Sequence, residues 1–375
     1  MSKKVLYVAT VLSHICQFHL PYLKMFKEQG YEVHVAARDN LAEKNGLQLN
    51  YADEHFEIPF QRSPFRPKNI AAYKQLKKLI NEKQYDLIVC NTPVGGIVTR
   101  LAAKKARKQG TKVVYIAHGF HFYKGASKKN WLVYYPIEKH FAKKCDLLIT
   151  INKEDYRLAK KKFKVRVEHI HGIGVDGSRY FSVEEKDRGI HRERLGYSGS
   201  SFILLVVGEL LKNKNQMQAI KAVERVAQKY PDIQLLIAGN GSERENLEKY
   251  VIRHGLGKNI HFLGYCTNLE EYQRIIDVGV SCSIREGLGL NVIESMMTGN
   301  TFIATKNRGH CELIQEGKNG FLVDIGDEQA LAEKICLLIE NRDLKTHLDC
   351  NAQIMIQPYT LSSVKEELQE LLFDL

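Results

Sequence analysis

Short, largely apolar runs rich in β-branched residues alternate with helix-length amphipathic stretches over residues 4–151, and the alternation starts again near residue 200. KVLYVAT (4–10), EVHVAA (32–37), LIVC (87–90), VVYIA (113–117) and LLITI (147–151) have the apolar character of strands covered on both faces. Between them lie FHLPYLKMFKEQG, NIAAYKQLKKLINEK and GGIVTRLAAKKARKQG, with apolar residues at helical spacing, the last closing on Gly110 as a helix C-terminal signal. Strands joined through helices pair in parallel, so the first half is an α/β array. The second register, FILLVVGEL (202–210), IQLLIAG (233–239), IHFLG (260–264), VGVSCSI (278–284) and TFIATK (301–306), specifies a second doubly wound domain. The stretch 169–201 is rich in Gly and charge, lacks sustained periodicity, and reads as a linker with a short helix. After Pro358, LSSVKEELQELLFDL reads as an amphipathic helix able to pack back on the first domain. The expected division is 1–172, 173–357 and 358–375, and two domains suit a chain of 375 residues.

Charge divides the halves. Residues 1–175 hold 32 basic against 14 acidic side chains, and residues 176–375 hold 23 against 29. A basic half meets nucleic acid, meets an anionic membrane surface, or simply keeps solvated lysines on its surface. The longest apolar runs, such as FILLVV at 202–207, fall far short of the roughly 20 residues that a spanning helix needs, so none is expected. The eight cysteines are scattered without C-x-x-C, and no histidines cluster at metal-ligand spacing, so neither a disulfide framework nor a zinc site is expected. MSKKVLYVATVLSH turns quickly into a strand-like run without a signal-peptide core, and cytoplasmic residence is the expectation.

In open α/β sheets ligands bind beyond the carboxyl ends of the strands, and the informative residues stand there. SIREGLGLNVIESMMTGN runs from a strand through Arg285, Glu286, Gly287 and Gly289 into a helix starting near Leu290, with Asn291 and Glu294 in its first turns. Glycines admit close approach of a ligand to backbone, and helix-start amides attract phosphate oxygens. The two flanking carboxylates suit hydroxyls, as on a ribose and a second sugar. VVGELLKNKNQ ends a strand at Gly208 and Glu209 and delivers Lys212 and Lys214, either of which could neutralise a diphosphate. GNGSERENLE is a third glycine turn, and IHFLGY ends at Tyr265 with backbone edges able to read a base. In the first half, AHGFHFYKG places His118 directly after a strand, to hydrogen-bond a substrate hydroxyl, carry a proton or serve structure. LSHICQFHLPYL places His14 and His19 in the loop after the first strand, and CNTPVGG places Asn91 and Thr92 after the third. A G-x-x-x-x-G-K-[ST] phosphate loop and a strand-borne G-x-G-x-x-G are both absent.

These residues resemble the retaining GT-B glycosyltransferases of family 4. Glu286 and Glu294 stand at that family's E-x7-E spacing, GELLKNK resembles its G-x-L-x-x-x-K loop, and GIGVD (172–176) resembles its interdomain turn. With AHGFHFYKG and REGLGLNVIESM, the pattern is most similar to members that build bacterial capsular or extracellular polysaccharide. The resemblance implies two Rossmann-like domains facing across a cleft, a nucleotide-sugar donor in the second, an acceptor in the first, and transfer with the anomeric configuration retained. It implies that Glu286 contacts the donor sugar and Glu294 the ribose, that Lys214 with the amides near Gly289, Leu290 and Asn291 stabilises the departing diphosphate, and that His118 holds the sugar. Gly208, Glu209, Tyr265 and Gly287 complete the implied donor site, and His14, Phe18, His19, Asn91 and Thr92 the acceptor site. No metal or other cofactor is implied, and no two aspartates stand at D-x-D spacing.

Two departures stand out. Glu209 occupies a place where the family usually has Arg or another residue compatible with phosphate, and the first-strand loop lacks a glycine pair. UDP is the expected carrier on the polysaccharide resemblance. A lipid-linked saccharide acceptor would bring the enzyme to the anionic inner face of the membrane, where LAAKKARK (101–108), SKKNWLVYY (127–135) and RLAKKKFKVR (157–166) could dock it. Trp131, Tyr134 and Tyr135 fit either an interface or a core. Two other readings are weighed: a GT-B nucleotide-sugar 2-epimerase using the same cleft, and a basic nucleic-acid-binding protein, which lacks any recognisable binding motif.

Overall fold

In a computed structural model, which describes residues 2–43 and 46–375, the chain forms two compact units, Met1–Ile173 with Val364–Leu375, and Gly174–Ser363. The first is built on strands β1 (Lys4–Val11), β2 (Glu32–Arg38), β3 (Glu54–Glu57), β4 (Leu87–Asn91), β5 (Lys112–Ala117), β6 (Leu147–Thr150) and β7 (Arg166–His169). They form one sheet in the order β3-β2-β1-β4-β5-β6-β7, parallel throughout. The second is built on β8 (Ile203–Val207), β9 (Gln234–Ala238), β10 (Ile260–Gly264), β11 (Val278–Ser281), β12 (Thr301–Thr305) and β13 (Gly320–Val323), ordered β10-β9-β8-β11-β12-β13 and again parallel. Counted within its own unit, each sheet begins with the strand order 3-2-1-4-5-6 of a doubly wound dinucleotide fold.

That order decides where ligands can go. In each sheet the chain leaves the first strand in one direction and returns on the other side, so a crevice opens beyond β1 and β4 in the first unit and beyond β8 and β11 in the second. The strands at these points are almost wholly buried, as in LIVCN of β4 and VGVS of β11. Buried Leu6, Val8, Ile88 and Val113 pack with helix residues such as Ala72, Leu76 and Val98 in the first unit. Leu204, Val206, Leu235 and Val280 do so with Ala219, Val223 and Ile335 in the second.

Three strands escaped the pattern reading. EHFE (β3) and RVEH (β7) carry charge because they lie at the two edges of their sheet and are exposed along one side, and GFLV (β13) is a four-residue edge strand. The runs 202–210 and 278–284 are longer than the strands within them. Gly208, with φ of +152°, turns the chain out after Val207, and Ser283 lies beyond the end of β11, where its carbonyl accepts from Thr305 and Asn307 side chains. His14 and His19 are not in a loop: His14 lies in the helix Leu12–Phe18, and His19 joins it to the helix Leu20–Glu28. The final helix, Leu361–Phe373, packs on the first unit, where Glu367 receives the N–H and the Nδ1 of His171 (2.9 and 2.6 Å) and Phe373 meets Phe26 at 5.2 Å between ring centroids.

Candidate active site

In the second unit the β8 and β11 loops meet at an ion pair, Lys214 Nζ to Glu286 Oε1 at 2.5 Å, with both side chains partly buried. Local geometry makes the pair. After Gly208 the chain passes Glu209 and folds a tight turn closed by Lys214 N–H to the Leu211 carbonyl, with Asn215 in the left-handed region at φ of +50°. A Cβ at Gly208 would lie 3.3 Å from Lys214 Cε, so the lysine chain lies across that glycine. A Cβ at Gly239 would come within 2.1 Å of the Gly208 carbonyl oxygen, which is why a glycine ends the neighbouring strand loop too. Asn213 ties the two loops together, accepting from Ile284 N–H (2.8 Å) and donating to the Arg285 carbonyl (3.1 Å).

The helix Leu290–Met297 begins at this pair with Gly289 as its N-cap and no side chain capping it. Its first-turn amides, including those of Leu290 and Asn291, have no acceptor within the helix and form a ready anion site. Asn291 donates to the Val207 carbonyl at 3.4 Å, binding the helix start to the end of β8. Glu294 takes a hydrogen bond from Tyr180, and burial pushes its carboxyl up to about 7 against the pull of Tyr180 and Arg179. Gly287 sits in the turn between the two glutamates, partly covered. Glu209 is exposed, and its carbonyl accepts from Gln216; its carboxylate points to no described cation. Tyr265 is 68% exposed beyond the end of β10, two strands from β8, and is not gathered with the others.

Three residues that the sequence reading missed border the Lys214–Glu286 pair. Gly309 lets its helix approach, since a Cβ there would lie 2.8 Å from Glu286 Cβ, and Arg308 Nε reaches the Glu286 carbonyl at 3.4 Å. His310 is fully buried, with Nδ1 2.7 Å from the Thr305 carbonyl, Nε2 without a partner among the described residues, and Cδ2 beside Gly289. Burial holds this imidazole below its ordinary range. The only signal available was RGH directly after a strand, while Tyr180 lies in the irregular linker, where nothing marked it.

The raised Glu294 carboxyl has a consequence for stability. Ionising near 4.5 when unfolded and near 7 when folded, it contributes stability that is whole below the lower value and lost as pH rises through the upper one. Comparing the wild type with Glu294→Gln by urea denaturation, the balance should move against the wild type by about 1–3 kcal/mol between pH 4.5 and 8. Parallel pH dependence of the two proteins would show that the carboxyl titrates normally.

In the first unit His14, His19 and His118 converge beyond β1 and β5. Ring centroids are 5.2 Å apart for His14 and His19, 4.8 Å for His14 and His118, and 5.3 Å for His19 and His118. Burial lowers His14 to about 4 and holds His19 and His118 well below their usual value, aided by mutual repulsion. His118 Nε2 lies 3.1 Å from Asn91 Oδ1 at the end of β4, and Phe18 meets the His14 ring edge-on at 5.1 Å. Thr92 follows in a left-handed conformation (φ of +63°), which a β-branched residue adopts only when held. Its hydroxyl does the holding, accepting from Thr10 N–H at 3.0 Å and lying 2.7 Å from Thr10 Oγ1. Beside Thr10 and Thr92 opens a cavity of about 290 Å³, lined also by Tyr115, His121, Tyr134 and Glu138.

Residues 187–355 match the family described as Glycosyl transferases group 1, and residues 4–152 match Glycosyl transferase 4-like. The chain is 47% identical over 346 residues to the Bacillus subtilis (strain 168) protein named "Putative glycosyltransferase EpsD", covering 92% of this chain and 89% of that one. It is 25% identical over 345 residues to an Escherichia coli UDP-Gal:alpha-D-GlcNAc-diphosphoundecaprenol alpha-1,3-galactosyltransferase, covering 89% and 87%. Among solved structures, Anabaena Alr3699/HepE in complex with UDP superposes with a TM-score of 0.81 at 22% identity over the full length of both chains, a likeness of fold.

Proposed function

We infer that this chain, which belongs to the glycosyl transferases group 1 family, moves a sugar from a UDP-linked donor to a lipid-linked or saccharide acceptor in the building of a cell-surface polysaccharide, retaining the anomeric configuration. The transferred group is a hexose or N-acetylhexosamine, and the transfer needs no metal. The observation that carries this reading is the Lys214–Glu286 pair at the start of the helix Leu290–Met297. A nucleotide diphosphate needs fixed positive charge where its leaving oxygen becomes anionic, and a carboxylate beside that cation is placed to accept from sugar hydroxyls.

In the free protein the two side chains neutralise each other. When donor enters, Lys214 turns to the diphosphate together with the amides of Gly289, Leu290 and Asn291, and Glu286 is released to the sugar. Gly208 and Gly287 let backbone close on the ligand, Glu294 accepts from the ribose hydroxyls, and His310 offers its unpartnered nitrogen nearby. In the first unit His118 joins His14, Phe18, His19, Asn91 and Thr92 in serving the acceptor and its sugar, for which the neighbouring cavity is the apolar part. Exposed Glu209 and Tyr265 stay at the edge of this arrangement. Two similar proteins support the choice of donor and acceptor: one is named for UDP-Gal and a diphosphoundecaprenol acceptor, and one of like fold was solved with UDP. The 2-epimerase reading has no such support, since both family matches describe transferases.

Thermal unfolding against UDP, GDP, ADP and CDP and their sugars tests this. UDP at about 100 times its Kd should add about 2.7 kcal/mol of stability. That gain should persist in EDTA and vanish in Lys214→Ala. No shift with any nucleotide would remove the donor site.

The lipid-linked acceptor implies work at a membrane surface. No described helix is long and apolar enough to cross a membrane. Lys104, Lys108, Lys143 and Lys144 line a basic groove with Arg107, whose charge Asp146 already answers. Trp131, Tyr134 and Tyr135 pack against the core instead of facing outward, and Trp131 Nε1 donates to the Tyr123 carbonyl, which leaves the lysines as the docking groups. At about 1 kcal/mol per engaged lysine, the chain should sediment with anionic vesicles and not with neutral ones. Equal sedimentation with both would count against docking.

A further inference from the structure

The three histidines beyond β1 and β5 carry more than the acceptor reading uses. His14 Nε2 and His19 Nε2 are 3.4 Å apart. That is long for a hydrogen bond, which is best at about 2.7–3.2 Å. It is the spacing of two nitrogens on one tetrahedral zinc, since bonds of about 2.0–2.1 Å at a tetrahedral angle place their ends about 3.3–3.4 Å apart. Each of His14, His19 and His118 offers a ring nitrogen, and the three lie within 4.8 Å of one another. His19 is 1% exposed, its Nδ1 has no partner among the described residues, and the polar contact of its ring is Nε2 to His14 Nε2.

The supports are stiff. The His14 helix is tied to Asn40 through Ser13, with N–H to Oδ1 and Nδ2 to Oγ both at 3.0 Å, and the His19 N–H closes on the Ile15 carbonyl at 2.8 Å. Asn91 Oδ1 near His118 Nε2 is the kind of outer partner that orients a ligating imidazole.

A second grouping of metal-ligand types, Glu32, His34 and Glu54, shows the contrast. His34 Nδ1 meets the Tyr85 hydroxyl at 2.9 Å and Nε2 meets Glu32 at 2.8 Å, while Lys4 and Lys83 pair with Glu32 and Glu54. Cations already answer those carboxylates. No described cation or carboxylate pairs with the three histidines.

We propose that His14, His19 and His118 form a transition-metal site that takes Zn²⁺ through three imidazole nitrogens, leaving one position open, and that filling it ties up the acceptor-side histidines and inhibits transfer. An all-imidazole set favours zinc and its neighbours over magnesium or calcium. Metal binding stands on the geometry alone; the inhibition rests on the transferase reading above.

The test uses the full chain, stripped of metal and dialysed against ZnCl₂, with CoCl₂ as a spectroscopic probe. About one zinc should bind per chain, and the cobalt form should show the strong visible bands of a tetrahedral site without thiolate charge transfer. His14→Gln and His118→Gln should each weaken zinc binding at least about tenfold. Replacing the exposed Cys311 and Cys350 by Ser should leave it unchanged. Binding no tighter than that of a His14→Gln/His19→Gln/His118→Gln chain, thiolate charge transfer in the cobalt spectrum, or loss in the cysteine variant would overturn the site. Should a histidine variant fail to fold, the wild-type cobalt spectrum decides. Added zinc should then lower the transfer rate reversibly with chelator; zinc bound at the histidines with an unchanged rate would overturn the inhibition and leave the site.

Discussion

Glu286→Gln should lower the rate of sugar transfer by about 10²–10³-fold while leaving UDP affinity within about tenfold of the wild type. The substitution keeps shape and hydrogen-bonding reach and removes one negative charge. In the free protein that charge is answered by Lys214 at 2.5 Å, so the variant frees the lysine for the diphosphate, and nucleotide binding need not weaken. On the proposed donor site, the loss appears in transfer because the sugar gains positive character as the leaving group departs, and a fixed carboxylate beside it is worth most at that moment. Such a contact lowers kcat and kcat/KM together, whereas a contact that serves only ground-state binding raises KM. The fold should survive, since the surrounding loops are held by Asn213, Asn291 and the close approach of Gly309, none of which uses the carboxylate charge. An unchanged kcat would take Glu286 out of the reaction; a lost UDP thermal shift would make it a structural support for the nucleotide site.

Glu138→Ala should cost the first unit about 3–5 kcal/mol, the range found when one partner of a buried pair is removed. Arg100 is among the largest fully buried side chains of the molecule. Its Nη2 meets Glu138 Oε2 at 3.0 Å, its Nε donates to the Gly96 carbonyl at 2.9 Å, and its guanidinium carbon lies 4.0 Å from the centre of the Tyr115 ring. Nη1 has no acceptor among the described residues, so Glu138 is the one carboxylate answering this charge. Glu138 also lines the 290 Å³ cavity, and water entering there should hold the loss toward the lower end of the range. Urea denaturation of the variant should show it, and Arg100→Met with Glu138→Leu should recover most of it, because replacing both partners removes the stranded charge. A loss under about 1 kcal/mol would mean that water already screens the pair.

The array of apolar runs was enough to read two parallel sheets, because strands buried on both faces and joined by helices leave a periodic mark that survives without any tertiary knowledge. The strands that left no mark, β3, β7 and β13, lie at sheet edges, where one side is open and the apolar requirement relaxes. The loops bearing Lys214 and Glu286, and the helix carrying Glu294, were legible for the same reason: each comes next in the chain after a strand end, so its place at the mouth of the sheet comes from chain order.

Contacts between distant segments were not legible. Nothing in the spacing of residues 14, 19 and 118 announces three imidazoles in contact, because β1 and β5 are brought near only by the crossover that places β4 between them. The same holds for His310 beside Gly289, for Tyr180 on Glu294, and for Arg100 buried with Glu138 across 38 residues. The sequence by itself determined the two α/β layers, the strand ends at which chemistry can sit, and the residue types offered there. Tertiary structure alone decided which of those groups meet, because burial and pairing, and with them charge state, depend on neighbours supplied by other strands.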